Sequence, residues 1–191
     1  SVIKEFYEEN RIFLPLDQIP VPVQRTFLAV EDRRFYQHSG IDLQRLFVTV
    51  WKDLAHWSRA QGASTITQQI STDLFLNKKE QTFPRKIREA LLAFKIERTY
   101  SKDEILEMYL NQIYFGEGTY GIEAASRRFF GKSVKDIGLN QMALLAGLPK
   151  NPGGYNPFTN PERAANRVNL VLNAMEDFHV ITRAQHDSLR Q

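Results

Sequence analysis

A mainly α-helical fold is predicted by three features of the 191-residue sequence. Apolar residues recur at three- and four-residue spacing through most of the chain. No stretch alternates apolar and polar residues for long. Pro, Gly and Ser/Thr/Asp punctuation cuts the chain into segments of helix length, giving eight to ten helices and an irregular N-terminal arm. The 42% apolar content, with 13 Phe, suffices for a sizeable core in one domain, or one domain with a small lobe. With 25% charged residues the chain is too polar for a membrane bundle and too apolar for disorder. The net charge of +3 suits an anionic ligand or a membrane surface and falls short of a nucleic-acid binder. With no Cys, disulfides and thiolate metal sites are excluded; HExxH and EF-hand spacings are absent too, so no metal site is expected.

Taken in order, Pro15, Pro20 and Pro22 make residues 1–22 an extended arm. Val23, Phe27, Val30 and Phe35 predict a helix over 21–34. After the turn at Gly40, Asp42 is placed to cap a helix over 43–58. Its stripe of Leu43, Leu46, Phe47, Val50, Trp51, Leu54 and Trp57 leaves two readings open, core packing or a face exposed to lipid. Gln61 to Gln69 is a run of hydroxyls and amides entering a helix that continues to about Leu76. Lys78 and Lys79 lie in a basic loop, and Pro84 suits the first turn of a helix running from Arg85 to Thr99. Ile87, Ala90, Leu91 and Phe94 are expected to point inward from it.

Ser101-Lys102-Asp103-Glu104 matches a capping box for a strongly apolar helix through Ile113. A short helix runs from Ile122 to Gly131, and an Ala/Leu helix spans Asn140–Leu148. The loop from Asn151 to Pro157 precedes a long helix started by Pro161, and Thr182–Leu189 is the last.

Two clusters carry candidate chemistry. Glu31-Asp32-Arg33-Arg34-Phe35-Tyr36-Gln37-His38-Ser39-Gly40 bunches charges at the end of an apolar run. It reads either as a capped, solvated helix end or as a carboxylate held rigidly at the edge of a core. Ser64, Thr65, Gln68 and Gln69 exceed what a helix cap requires, and Arg85, Lys86 and Arg88 with Glu89 offer cations to a polyanion.

Four stretches together resemble the peptidoglycan glycosyltransferase family, glycosyltransferase family 51, found in class A penicillin-binding proteins and monofunctional transglycosylases. They are Glu31-Asp32-x-x-Phe35-x-x-His38-x-Gly40, Gly62-x-Ser64-Thr65-Ile66-Thr67-Gln68-Gln69, Arg85-Lys86-x-x-Glu89, and Ile105-Leu106-Glu107-x-Tyr109-Leu110-Asn111-x-Ile113-Tyr114-Phe115-Gly116. A fifth, Arg167-x-x-x-Val171-Leu172, follows in family order. The resemblance implies a lysozyme-like helical large lobe with a smaller membrane-proximal jaw lobe, here near residues 43–60. It also implies a piece of a longer membrane-anchored protein, linked to a transpeptidase domain and working at the extracytoplasmic face of the bacterial cytoplasmic membrane.

The implied partners are lipid II, the growing glycan on undecaprenyl pyrophosphate and the membrane surface. Nucleic acid is not among them, and no cofactor is tightly bound, with Mg or Mn as a stimulatory cation. By the same resemblance Glu31 is the general base and Glu89 the second glutamate of the catalytic pair, an orienting partner for the basic cluster and the donor sugar. Asp32, Arg34, Phe35, Ser64, Thr65, Gln68, Gln69, Arg85, Lys86 and Arg88 would bind substrate. The chemistry asks for such residues: a sugar hydroxyl needs a carboxylate base, and a departing pyrophosphate needs positive charge rather than an acid. Where family members usually carry a lysine after the Gln-Gln pair and an arginine before Arg-Lys-x-x-Glu, this sequence has Thr72-Asp73 and Gln81. A glycan-cleaving relative and a non-catalytic lipid II-binding module are the alternatives.

Overall fold

The computed structural model describes residues 10–44, 64–75 and 82–190. The expected helix over 43–58 beyond its first two residues, most of the small lobe, the tryptophans, Lys78, Lys79 and Gln81 lie outside these residues. The fold is mainly α, as the punctuation predicts. The chain divides into two compact units, one of Ser1–Arg33 with Leu110–Gln191 and one of Arg34–Tyr109.

In the first unit, α1 (Val21–Glu31) starts on Pro20 with Pro22 in its first turn and buries Val23, Thr26, Phe27, Leu28 and Ala29. The sequence extends this helix to Arg34, but it ends at Glu31. Asp32 leaves helical geometry at φ −156°, its N–H donating to Leu28 O, and a turn follows. α1 packs on α6 (Leu139–Gly147) and α7 (Pro161–Asp177), which also pack on each other. Phe27 meets Phe115 edge-on at 6.1 Å, and Leu145, Leu148, Val171, Leu172 and Met175 complete the core. Burying one such side chain contributes about 1.5–3 kcal/mol. α5 (Ile122–Phe130) closes on Gly131 in the left-handed region, and α8 (Arg183–Leu189) opens with a Thr182–Gln185 capping box.

A small sheet was not foreseen. β2 (Tyr114–Gly116) and β3 (Thr119–Tyr120) form an antiparallel hairpin, and β1 (Asn10–Arg11) of the arm runs parallel to β3. The turn needs three successive positive φ values, at Gly116, Glu117 and Gly118. Strands of two and three residues are too short to display a period of two.

In the second unit, α2 (Ile66–Phe75) packs against α3 (Phe83–Thr99), and α4 (Lys102–Gln112) follows and runs on into the first unit. The Ser101–Glu104 capping box forms as expected, each side chain meeting the other's backbone N–H. The inward set expected for α3 is overturned. Ile87, Leu91 and Phe94 are exposed, and Ala90 is half-buried; Glu89, Ala93 and Ile96 are buried instead. The buried face lies roughly 150° around the helix from the apolar stripe, at 3.6 residues per turn. Glu89 lies on that face, away from the aliphatic ridge, its carboxylate gripped by Thr72 of α2 and by Arg85 and Lys86 of its own helix. Among the described residues no helix is long and apolar enough to cross a membrane.

Candidate active site

Glu31 is the last residue of α1 in the first unit, half-buried, where the unsatisfied carbonyls of a helix end gather. Two arginines tie this helix down. Arg33 donates from Nε to Ala29 O at 3.0 Å and from its guanidinium to Asp177 of α7 at 3.1 Å. Arg25, about two turns before Arg33, donates to Phe178 O and lies 5.8 Å from the Phe178 ring. Asp32 is buried at the helix cap. Glu31 is thus the last residue of a helix tied to α7 and to Phe178 beyond it.

The rest of the same motif belongs to the second unit. Arg34 grips buried Asp42, with Nε at 3.0 Å from Oδ2 and the guanidinium also on Oδ1. This ion pair is the observed use of the Asp42 carboxylate. Phe35, expected at the substrate, is 1% exposed and serves as core, with the Lys102 ammonium 4.4 Å from its ring centroid. His38 packs edge-on to Phe35, consistent with a structural role. Tyr36 donates its hydroxyl to Asp103 Oδ1 at 3.0 Å, and partial burial together with that carboxylate pushes its pKa up to about 12. Gly40 adopts φ +89°, and a Cβ there would come within 3.1 Å of the Ala93 backbone of α3. The Gly40 carbonyl accepts from Thr65 Oγ1 at 2.6 Å, tying the turn to the start of α2.

Thr65 and Gln68 form a reciprocal capping box. The Thr65 N–H donates to Gln68 Oε1 at 2.9 Å, and the Gln68 N–H donates to Thr65 Oγ1 at 3.1 Å. The hydroxyl-amide run therefore meets the needs of a helix cap more fully than the sequence suggests, and Thr65 is buried away from the cavity that its neighbours line.

That cavity, of about 610 Å³, lies within the second unit. It is lined by Ser64, Gln68, Gln69, Thr72 and Asp73 on one side and by Thr82, Phe83, Arg85, Lys86 and Glu89 on the other. Glu89, 2% exposed, organises it. Arg85 donates to Glu89 Oε2 at 3.2 Å, Thr72 donates to the same oxygen at 3.0 Å, and Lys86 grips Oε1 while also donating to Ser64 Oγ at 2.9 Å. The Arg85–Glu89 pair is therefore no surface ion pair; its partners share one cavity wall. Arg88 points to solvent and does not line the cavity.

Thr72, Asp73, Thr82 and Phe83 are additions that the sequence reading did not assign to a site. The 68, 69, 72, 73 spacing, which puts all four on one helix face, was the available signal. Thr72, at the usual lysine position, supplies a hydroxyl that holds Glu89 rather than a second ammonium. Two cations, Arg85 and Lys86, and two carboxylates, Asp73 and Glu89, thus line the cavity, so its formal charge is balanced. Among the described residues no cluster of His, Asp and Glu could hold a metal ion.

The transglycosylase family profile matches residues 1–176. Penicillin-binding protein 1A of Aquifex aeolicus (strain VF5) is 49% identical over 94% of this chain and 24% of its own length. Penicillin-binding protein 1A of Escherichia coli (strain K12) is 46% identical over the whole of this chain and 22% of its own, and penicillin-binding protein 1F of Bacillus subtilis (strain 168) is 44% identical over 92% and 24%. The chain therefore spans about a quarter of the length of these relatives. The crystal structure of penicillin-binding protein 1A from Haemophilus influenzae superposes with a TM-score of 0.58 at 26% identity, over 96% of this chain and 18% of that one. The chain belongs to the transglycosylase family, the peptidoglycan glycosyltransferases that its five motifs resemble.

Proposed function

We propose that this chain polymerises a lipid-linked disaccharide, lipid II, into β-1,4-linked glycan, releasing undecaprenyl pyrophosphate with inversion at the anomeric carbon. The observation that carries the donor half is the cavity in which Arg85 and Lys86 are held by Glu89 beside Ser64, Gln68 and Gln69. In this reading the carboxylate of Glu31 takes the proton from the acceptor 4-hydroxyl as its oxygen attacks the anomeric carbon. The bond from that carbon to the pyrophosphate oxygen breaks, and its electron pair leaves with the pyrophosphate. Arg85 and Lys86 balance the charge that develops there, so no general acid is needed. Glu89 is an orienting carboxylate: it fixes the two cations and competes with the ligand for them. A divalent cation would offset the balanced charge of the cavity by travelling with the pyrophosphate.

Anchoring to the extracytoplasmic face of the bacterial cytoplasmic membrane and linkage to a transpeptidase domain belong to the same proposal, supported by the names and lengths of the relatives. The test is incubation with lipid II and Mg or Mn followed by analysis of the glycan. Polymer should form, and Glu31→Gln should lower the rate by about 10²–10⁴-fold, the share general-base catalysis contributes. Shortening of preformed glycan would instead identify a glycan-cleaving enzyme, and lipid II binding without turnover a binding module.

A further inference from the structure

Asp73 lines the cavity without a part in the chemistry assigned to it above. It is exposed on α2, one turn beyond Gln69, while Arg85 and Lys86 belong to the α3 wall. Both of those cations are gripped by Glu89, and Thr72 donates to the same carboxylate. The lining therefore offers a multiply charged anion no net positive charge. A free diphosphate entering there meets Asp73 as a like charge, and like charges repel more strongly in a partly desolvated cavity than in water. The anion that suits this lining is one that arrives with its own counter-charge.

The donor chemistry fits a divalent cation of the Mg type. Such an ion keeps several of its waters and is held through one or two carboxylates together with substrate phosphates, rather than by a cage of protein groups. Asp73 supplies one such carboxylate. Among the described residues no group of three or more acidic or His side chains could hold the ion without the phosphate.

We propose that Asp73 is a specificity-determining residue, which makes this cavity select the divalent-cation complex of a diphosphate over the free diphosphate. The inference rests on the anionic-donor reading above and adds which form of the head group is bound and which residue chooses it. Arg85 and Lys86 serve the phosphate oxygens, and Asp73 serves the cation. Thr72, beside it, gives Glu89 a hydroxyl and brings no charge, so the counter-charge comes with the ligand. Cation and diphosphate then bind with positive coupling, each raising the affinity for the other by the same factor.

Calorimetry with inorganic pyrophosphate, at constant ionic strength and with or without saturating Mg, tests this. In the wild type Mg should raise the affinity by about tenfold, a usual size for coupled ligands. In Asp73→Asn free pyrophosphate should bind more tightly, and the gain from Mg should shrink to about twofold or less. Thr72→Lys adds a built-in charge and should act in the same direction. Circular dichroism checks that both variants are folded. A gain from Mg as large in Asp73→Asn as in the wild type overturns the role of Asp73. Equal wild-type affinity with and without Mg overturns selection for the complex while leaving the donor reading standing. Pyrophosphate that binds in neither condition, or binds unchanged in Lys86→Ala, overturns the donor reading itself.

Discussion

Among the described residues, the two units of the chain differ most in the apolar side chains that they leave exposed on their helices. The unit of Ser1–Arg33 and Leu110–Gln191 buries what a stable domain should: Phe27 on Phe115, with Leu145, Leu148, Val171, Leu172 and Met175 around them. The unit of Arg34–Tyr109 buries Thr65, Thr67, Gln68, Ser71 and Glu89, and leaves Leu74, Phe75, Phe83, Ile87, Leu91 and Phe94 exposed. Burying polar groups costs free energy unless each is hydrogen-bonded, and here each is. Thr67 donates to Glu97, Ser71 to the Gln68 and Glu89 carbonyls, and Glu89 accepts from three side chains. Both units bury hydrogen-bonded polar groups, Glu123, Asn156 and His186 among them in the first, so what sets the described part of the second apart is the file of apolar side chains that α3 leaves exposed.

The contrast is sharpest between truncation of a buried side chain and truncation of an exposed one. Phe27→Ala empties a fully buried ring site in the first unit and should destabilise the fold by about 3–5 kcal/mol. Leu91→Ser in the second unit removes an exposed side chain and should shift stability by no more than about 0.5 kcal/mol. Urea or thermal unfolding followed by circular dichroism measures both. A Leu91→Ser cost matching that of Phe27→Ala would show the ridge to be core in solution and dissolve the comparison.

The next effect lies within the polar interior. Glu89→Ala removes the common acceptor of Arg85, Lys86 and Thr72, leaving a mostly buried guanidinium without its carboxylate. The cost should be about 1–3 kcal/mol, moderated because the Lys86 ammonium is half-exposed and can turn to water. Glu89→Gln keeps an acceptor oxygen and should recover part of that loss. If glycan synthesis falls further than stability does in Glu89→Gln, the carboxylate's charge matters to the ligand and not only to the fold.

These same residues explain what was legible. The helices with strong punctuation read directly: the Ser101–Glu104 box, Pro161, and the Gly131 cap need only local geometry. The burial of Glu89 and Phe35 did not read. Periodicity shows that Ile87, Leu91 and Phe94 share a face of α3 but not which face is buried; the buried face is the one on which Glu89 meets Thr72 of α2. Phe35 sits in a motif rich in charge, yet what covers it is Lys102, 67 positions away in the sequence, an interaction with no local signal. The hairpin at Gly116–Gly118 was hidden because its strands are shorter than one repeat of any pattern. Motif spacing thus names candidate residues, while their burial depends on contacts distant in sequence.

The smallest effect expected concerns the outer edge of the second unit. Tyr36 is more than half exposed, and its phenol is held above the ordinary value of 10.0, at about 12, first by partial burial and then by its hydrogen bond to Asp103. A raised folded-state pKa means that the fold favours protonated Tyr36. Its contribution is fully present below pH 10.0 and is lost as pH rises through about 12. Asp103→Asn removes the neighbouring negative charge but leaves the burial, so the midpoint should fall part of the way back. Tyrosinate absorbance, with Tyr36→Phe as the reference, reads that midpoint directly. Because solvent screens a half-exposed pair, the accompanying change in stability should be slight. An unmoved midpoint in Asp103→Asn would leave burial as the only cause and remove this contact from the ties that hold the Phe35 turn against α4.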